Sequence, residues 1–302
     1  MHGYTYADAL EASEKINWRV EDLIGGDKKR DFAKPYLPES LARVTPLAFL
    51  TADEGLALNQ IRGLGYLYLF GLVEEFILPF VLDHARPQLH GDDVRVRALL
   101  EFASEEAKHI QLFRQFRQEF KAGFGSTCEL IGPAAEIGRA VLTHEPLAVA
   151  LAILHIEWMT QRHWIESTKD DQALDPQFKS LLRHHWMEEA QHAKLDTLMV
   201  EALAAGRTAE EIDRAVDGYL DIGGMLDAGV GQQVTLDLES FTRATRRRLN
   251  DAEAKRYQEV QLAANRWTYL GSGMSHPQVL NTLGTLSPAA RQRIEQIAPA
   301  FC

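Results

Sequence analysis

The chain has 302 residues, 46% hydrophobic and 25% charged, the balance of a globular protein long enough to bury a sizeable core. Its 32 lysines and arginines against 43 aspartates and glutamates leave a formal charge of −11, which argues against nucleic acid or an anionic membrane as the main partner. Only Cys128 and Cys302 are cysteines, too few for a disulfide framework or a thiolate metal cage.

A reducing cytoplasm suits that usage, and neither a signal-peptide pattern nor an uninterrupted apolar run of about 18 residues argues for secretion or a membrane span. Apolar residues recur every three or four positions and strand signals are scarce, so an all-α chain is expected. Thr51 with Glu54 forms a capping box that opens a helix near 52–85. Pro87 and Gly91 interrupt the chain, and Asp92 or Asp93 caps a second helix over about 94–121. A glycine-rich connection through Gly123, Gly125 and Gly132 has room for one short helix before a third long one begins near Pro146 and ends around Lys169. Asp175-Pro176 starts the fourth, which runs to about Gly206. Thr208 with Glu211 opens another helix, which glycines 223, 224, 229 and 231 are expected to loosen. A further helix is expected over 239–270, carrying the basic run Arg246–Arg248 on a solvated face, and Ser287-Pro288 caps a short last one. No linker is apparent, so residues 1–302 read as one domain. Its core is a four-helix bundle over about 52–205, flanked by helices in 1–50 and 207–302.

Two of the bundle helices carry inward-facing Glu-x-x-His pairs. Leu99, Phe102, Glu106, His109 and Phe113 share one face of the 94–121 helix, whereas Arg97, Glu101, Glu105 and Lys108 line another. Leu182, His185, Glu189 and His192 repeat the pattern in the fourth helix. A single such pair arises often by chance, but two on partner helices call for one further glutamate from each remaining helix. Glu74 lies on the stripe of Leu67, Phe70, Ile77 and Val81, with Glu75 rotated to the side, and Glu157 lies with Ala150, Ile153, Thr160 and Trp164. Glu74 and Glu106 are 32 residues apart, as are Glu157 and Glu189, a regularity that a helix pair used twice about a pseudo-twofold axis would give. Four carboxylates and two imidazoles suit two iron ions, and manganese or a mixed Mn/Fe pair would suit the same donors. The bland alternative is a set of buried salt-bridged groups in a helical core.

This pattern resembles the ferritin-like di-iron carboxylate proteins over roughly residues 50–205. His185, four residues before Glu189, narrows the likeness: a His-x-x-x-Glu-x-x-His helix resembles the arylamine N-oxygenase family, typified by p-aminobenzoate N-oxygenase. The resemblance implies that His185 is a third imidazole ligand, on the second iron, and that the reaction is O2-dependent oxygenation of an amine nitrogen. Asp196 is placed to accept the other ring N–H of His192. Phe70, Phe102 and Thr160 are expected to line the substrate pocket. His155, His163, Trp158, Trp164 and Trp186 read as structural, and His184 as turned away from the cavity. No flavin, nicotinamide or iron–sulfur fingerprint is visible, so electrons should come from an external reductase or small reductant. A homodimer is compatible with the sequence. A carbon-directed hydroxylase or oxidase and a ferroxidase or iron-binding protein are the alternatives. A ribonucleotide-reductase small subunit is disfavoured because Phe113 stands where its radical tyrosine would be.

Overall fold

Each capping signal read from the sequence opens a helix in the computed structural model, which describes residues 2–302. Three short helices come first: α1 (Tyr6–Lys15), α2 (Val20–Leu23) and α3 (Glu39–Ala42). The four long bundle helices are α4 (Ala52–Ala85), α5 (Asp93–Gly123), α7 (Pro146–His163) and α8 (Pro176–Ala204), with α6 (Ala134–Val141) in the connection between α5 and α7. Thr51 and Glu54 exchange both bonds of the capping box, Asp92 accepts from the amides of Val94 and Arg95, and Asp175 accepts from Phe178. Each satisfies amides that the first helical turn leaves unpaired. α4 packs on α5 and α7 on α8, and the two pairs close into the expected all-α bundle. The segment Ala52–Gln88 is long and apolar enough to cross a membrane by composition, yet two-thirds of its most apolar stretch is buried inside the fold, as a central core helix requires.

The C-terminal third departs from the sequence expectation. α9 (Ala209–Thr245) runs unbroken through all four glycines, and the expected 239–270 helix is divided. Of the four, only Gly223 sits against a tight neighbour, and Gly218 earlier in α9 is a second tight position. A Cβ at Gly218 would lie 2.9 Å from that of Ala148, and one at Gly223 would lie 3.3 Å from the Met274 side chain. At those two positions tight packing offsets a propensity cost of about 1 kcal/mol per glycine, whereas a Cβ at Gly224 would meet nothing within 4 Å. The break falls at Arg246, which takes a left-handed conformation (φ 57°), and Asn250 with Glu253 forms a capping box for α10 (Asp251–Arg266). The basic run is therefore a loop and not a helical face. Arg247 ties the start of α4 to that of α10, pairing with Glu54 at 2.6 Å and Glu253 at 2.7 Å. α11 (Ser272–Met274), α12 (Pro277–Leu286) and α13 (Pro288–Ile297) complete the chain. Two π-helical turns occur among the described residues, Trp164–Thr168 after α7 and Trp267–Gly271 after α10.

Candidate metal centre

The bundle brings the seven predicted donors into its interior, each no more than 2% exposed. Glu74, His109, His185 and Glu189 form one group of potential metal ligands and Glu106, His109, Glu189 and His192 a second, with the donor atoms of each within 4.8 Å of one another. His109 and Glu189 belong to both. His185 Nε2 lies 2.9 Å from Glu74 and 2.7 Å from Glu189, so the third histidine joins Glu74 in the first group, and Glu189 and His109 connect it to the group of His192. His109 Nδ1 is 3.1 Å from Glu189, and His192 Nδ1 is 3.2 Å from both Glu106 and Glu189. Glu157 is buried beside Glu189 without entering either group. Glu75 turns outward to an ion pair with Arg114 at 2.6 Å, as the helical phase predicts.

The polar bookkeeping of this interior is incomplete without a cation. Glu74 Oε2, both Glu106 oxygens, Glu157 Oε2 and His109 Nδ1 are buried with no hydrogen-bond partner. Imidazole and carboxylate atoms here come within ion-pair distance, but hydrogen bonds leave these atoms unsatisfied, and a buried polar group left so costs about 1–3 kcal/mol. Hard oxygen donors mixed with imidazole nitrogen are what iron and manganese take, so the residues fit a dinuclear site. Burial, and then the neighbouring Glu106 charge, pushes the Glu74 carboxyl up to about 8, and burial with Glu189 beside it holds Glu157 well above the usual carboxylate range. Burial also opposes the Glu189 charge, but His185 and His192 outweigh it and hold that carboxyl well below its ordinary value.

Two supporting carboxylates escaped the sequence reading. His109 donates its Nε2–H to Glu188 at 2.7 Å, and His192 donates its Nε2–H to Glu105 at 2.8 Å. Each carboxylate stands directly before the motif glutamate of the opposite helix. Lys108 pairs with Glu188, and Gln191 donates to Glu105 at 3.2 Å, so the residue before each histidine also completes the same pseudo-twofold brace. Ser13 of α1 donates to Glu105 at 2.6 Å. The brace fixes both imidazoles with Nε2–H on the carboxylate and Nδ1 inward, the orientation that metal ligation needs once Nδ1 has given up its proton. The duplicated five-residue pattern Glu-Glu-Ala-x-His, at 105–109 and 188–192, was the available signal. Glu188→Gln or Glu105→Gln is expected to lower metal affinity by about 10- to 100-fold with the fold retained, measured by competition with a chelator; unchanged affinity in both would remove the brace from the site.

Three predicted roles are revised. Asp196 is fully buried, but both its oxygens lack hydrogen-bond partners, and the His192 N–H assigned to it goes to Glu105. Phe102 is not part of the lining of the apolar cavity beside Phe70; its ring stacks on His192 at 4.0 Å between centroids. Thr160 donates its hydroxyl to the Ile156 carbonyl one turn back at 3.0 Å. Phe70 stands beside a cavity. It lines an apolar cavity of about 430 Å³ between α4, α7 and α9, together with Phe76, Ile156, Met159 and Tyr269. Its ring also meets His185 edge to face at 5.2 Å, so one side chain separates cavity from donors.

No family model and no curated protein matches the chain. Among solved structures, it is similar to a variant of an R2-like ligand-binding oxidase with an aerobically reconstituted Mn/Fe cofactor, at 15% identity over 88% of this chain and 96% of that one, with a TM-score of 0.48. Another variant of an R2-like ligand-binding oxidase, with an aerobically reconstituted Fe/Fe cofactor, matches at 15% identity over 88% and 93% of the two chains, with a TM-score of 0.45. At that identity and TM-score the likeness carries neither activity nor ligand over to this chain.

Proposed function

We propose that this protein is an O2-dependent dinuclear iron oxygenase that oxidises the nitrogen of an uncharged arylamine. The observation that carries the reading is the pair of buried His/Glu donor groups sharing His109 and Glu189, one aromatic ring away from an apolar cavity. Such a pair of metals, when bound, supplies the reduction of O2 that oxygen insertion needs. Manganese in one position would suit the same donors.

The chain's own residues set the rest. Glu105 and Glu188 hold the imidazoles in the ligating tautomer, and Glu74 and Glu157 give up protons to become ligands. The cavity lining contains no charged side chain, and its polar side chains are Gln232 and Tyr269. A charged ammonium would be stripped of water there without a partner, whereas an arylamine is a weak base and enters neutral. For oxidation to the hydroxylamine, one atom of O2 enters the N–H bond and the other leaves as water. Two electrons come from an external reductase or small reductant, and two protons from solvent. The same lining also favours a second reading, hydroxylation of carbon in an apolar substrate.

The test is anaerobic iron loading, metal analysis, then O2 with candidate amines, followed optically and by product identification. About two ions per chain, an O2-dependent absorbance change and a hydroxylamine or nitroso product from a neutral arylamine are expected. Carbon hydroxylation with no N-oxidation would establish the second reading. Iron far above two ions per chain with no organic product would replace both by iron storage.

A further inference from the structure

Two buried histidines that read as structural in the sequence each hold a tyrosine, and one of the two pairs points toward the metal donors. Tyr66 and His163 are each 3% exposed, and the phenol oxygen lies 2.8 Å from His163 Nδ1. The direction of that bond follows from the next two. Ser272 donates its hydroxyl to the Thr268 carbonyl at 2.9 Å, so toward His163 Nε2, also 2.9 Å away, it acts as acceptor. His163 therefore carries its proton on Nε2, and its bare Nδ1 accepts from the Tyr66 O–H. Burial, reinforced by Arg162, pushes His163 down to about 3, which keeps the ring neutral and free to accept.

The setting is specific. Tyr66, Phe70 and Glu74 follow one another at four-residue steps along α4, on one face of the helix. The Tyr66 ring meets Phe70 edge to face at 4.7 Å, Phe70 meets His185 at 5.2 Å, and Tyr269, which lines the cavity, is 6.2 Å from Tyr66. The two π-helical turns also flank this chain of hydrogen bonds, one directly after His163 and the other directly before Ser272. Such turns are rare and concentrate at functional positions. The second pair is an internal control. Tyr219 lies 2.7 Å from His155 Nδ1, and His155 Nε2–H donates to the Tyr269 carbonyl at 3.2 Å, but among the described residues the only aromatic neighbour of Tyr219 is that histidine.

We propose that Tyr66 is a redox-active tyrosine, with His163 as its proton acceptor and the Phe70–His185 contact as its link to the metal donors. In the step, the phenol loses one electron to a one-electron oxidant and its O–H proton moves to His163 Nδ1. A neutral phenoxyl radical and an imidazolium result, and the oxidant is reduced by one electron. In the loaded protein, metals held by the Glu and His donors would supply that oxidant on exposure to O2, so this part rests on the function proposed above. Lying between the donors and Tyr269, Tyr66 is placed to drain an oxidising equivalent when no substrate fills the cavity.

The experiment has two arms, both read by electron paramagnetic resonance with and without ring-deuterated tyrosine. Metal-free protein is oxidised by photogenerated tris(bipyridyl)ruthenium(III), and iron-loaded protein is exposed to O2 without substrate. Each arm is expected to give a tyrosyl radical that Tyr66→Phe removes and Tyr219→Phe leaves in place. His163→Gln should shorten its lifetime by about tenfold, the factor that one hydrogen bond is worth. A radical that persists in Tyr66→Phe, or none in the metal-free arm, overturns the proposal. An O2-dependent absorbance change without the radical overturns the link to the centre. If the chain binds no iron, the proposed function fails, and the metal-free arm alone decides for or against Tyr66.

Discussion

Replacing Glu189 by alanine is expected to strip both metals from the chain and reduce O2-dependent turnover to background, whereas Glu106→Ala should lose one ion and keep the other. The difference follows from membership. Glu189 is common to both donor groups, and Glu106 belongs to the second alone. A carboxylate brace behind a ligand is worth about 10- to 100-fold in affinity, so loss of a ligand shared by two ions should exceed about 100-fold. The variant should also be less stable without metal in mildly acidic solution. There, His109, His185 and His192 are held above their ordinary pKa against the opposing effect of burial, with Glu189 among the carboxylates responsible in each case. Removing that partner takes one carboxylate from each of three buried imidazolium groups and leaves His185 with Glu74 alone, which destabilises the metal-free fold unless the rings deprotonate. Metal analysis with thermal melts at two pH values checks both parts. Two ions retained in Glu189→Ala would remove the shared-ligand geometry.

The parts of this site that were legible in the sequence are those that one helix determines alone. Helical phase separates Glu74, 2% exposed, from Glu75 in its ion pair with Arg114, and it turns Glu106 and Glu189 inward. Capping boxes mark the helix starts because the cap and its amides are three residues apart. What stayed hidden depends on what lies across from a residue. Glu105 is placed with the outward charges of α5 by periodicity, but α1 covers that face and Ser13 bonds it. Asp196 shares a face with His192, yet the ring's outer nitrogen points across the bundle to α5. Tyr66 and His163 are 97 residues apart and on different helices, so no local pattern links them. The glycines of α9 mislead for the same reason. Propensity reads them as a weakness, while at Gly218 and Gly223 the Ala148 and Met274 side chains make the absence of a Cβ a packing requirement.

Metal uptake should release several protons, and affinity should climb steeply with pH. Burial opposes the imidazolium form of His109, but Glu106, Glu188 and Glu189 outweigh it and hold its pKa well above 6.5. His192 is held likewise by Glu189, Glu105 and Glu106. His185 is raised as well, and Glu74 and Glu157 are raised among the carboxyls. A raised histidine contributes stability to the metal-free fold that is complete below its unfolded pKa of about 6.5 and is lost as pH rises through the folded value. The depressed Glu189 carboxyl works in the opposite sense: its contribution is present above its unfolded value of 4.5 and is lost as pH falls through the folded one. Metal-free protein should therefore be most stable in mildly acidic solution, where the pairs are complete. A metal takes the place of those protons, because only neutral imidazole and ionised carboxylate ligate. Each proton displaced makes affinity tenfold stronger per pH unit, so with five raised groups the slope of log affinity between about pH 6 and 7.5 should be two or more. Titration calorimetry in buffers of different ionisation enthalpy counts the protons directly. A slope below one would mean that the donors stand deprotonated before metal arrives, with the imidazolium–carboxylate pairs absent from the metal-free protein in solution.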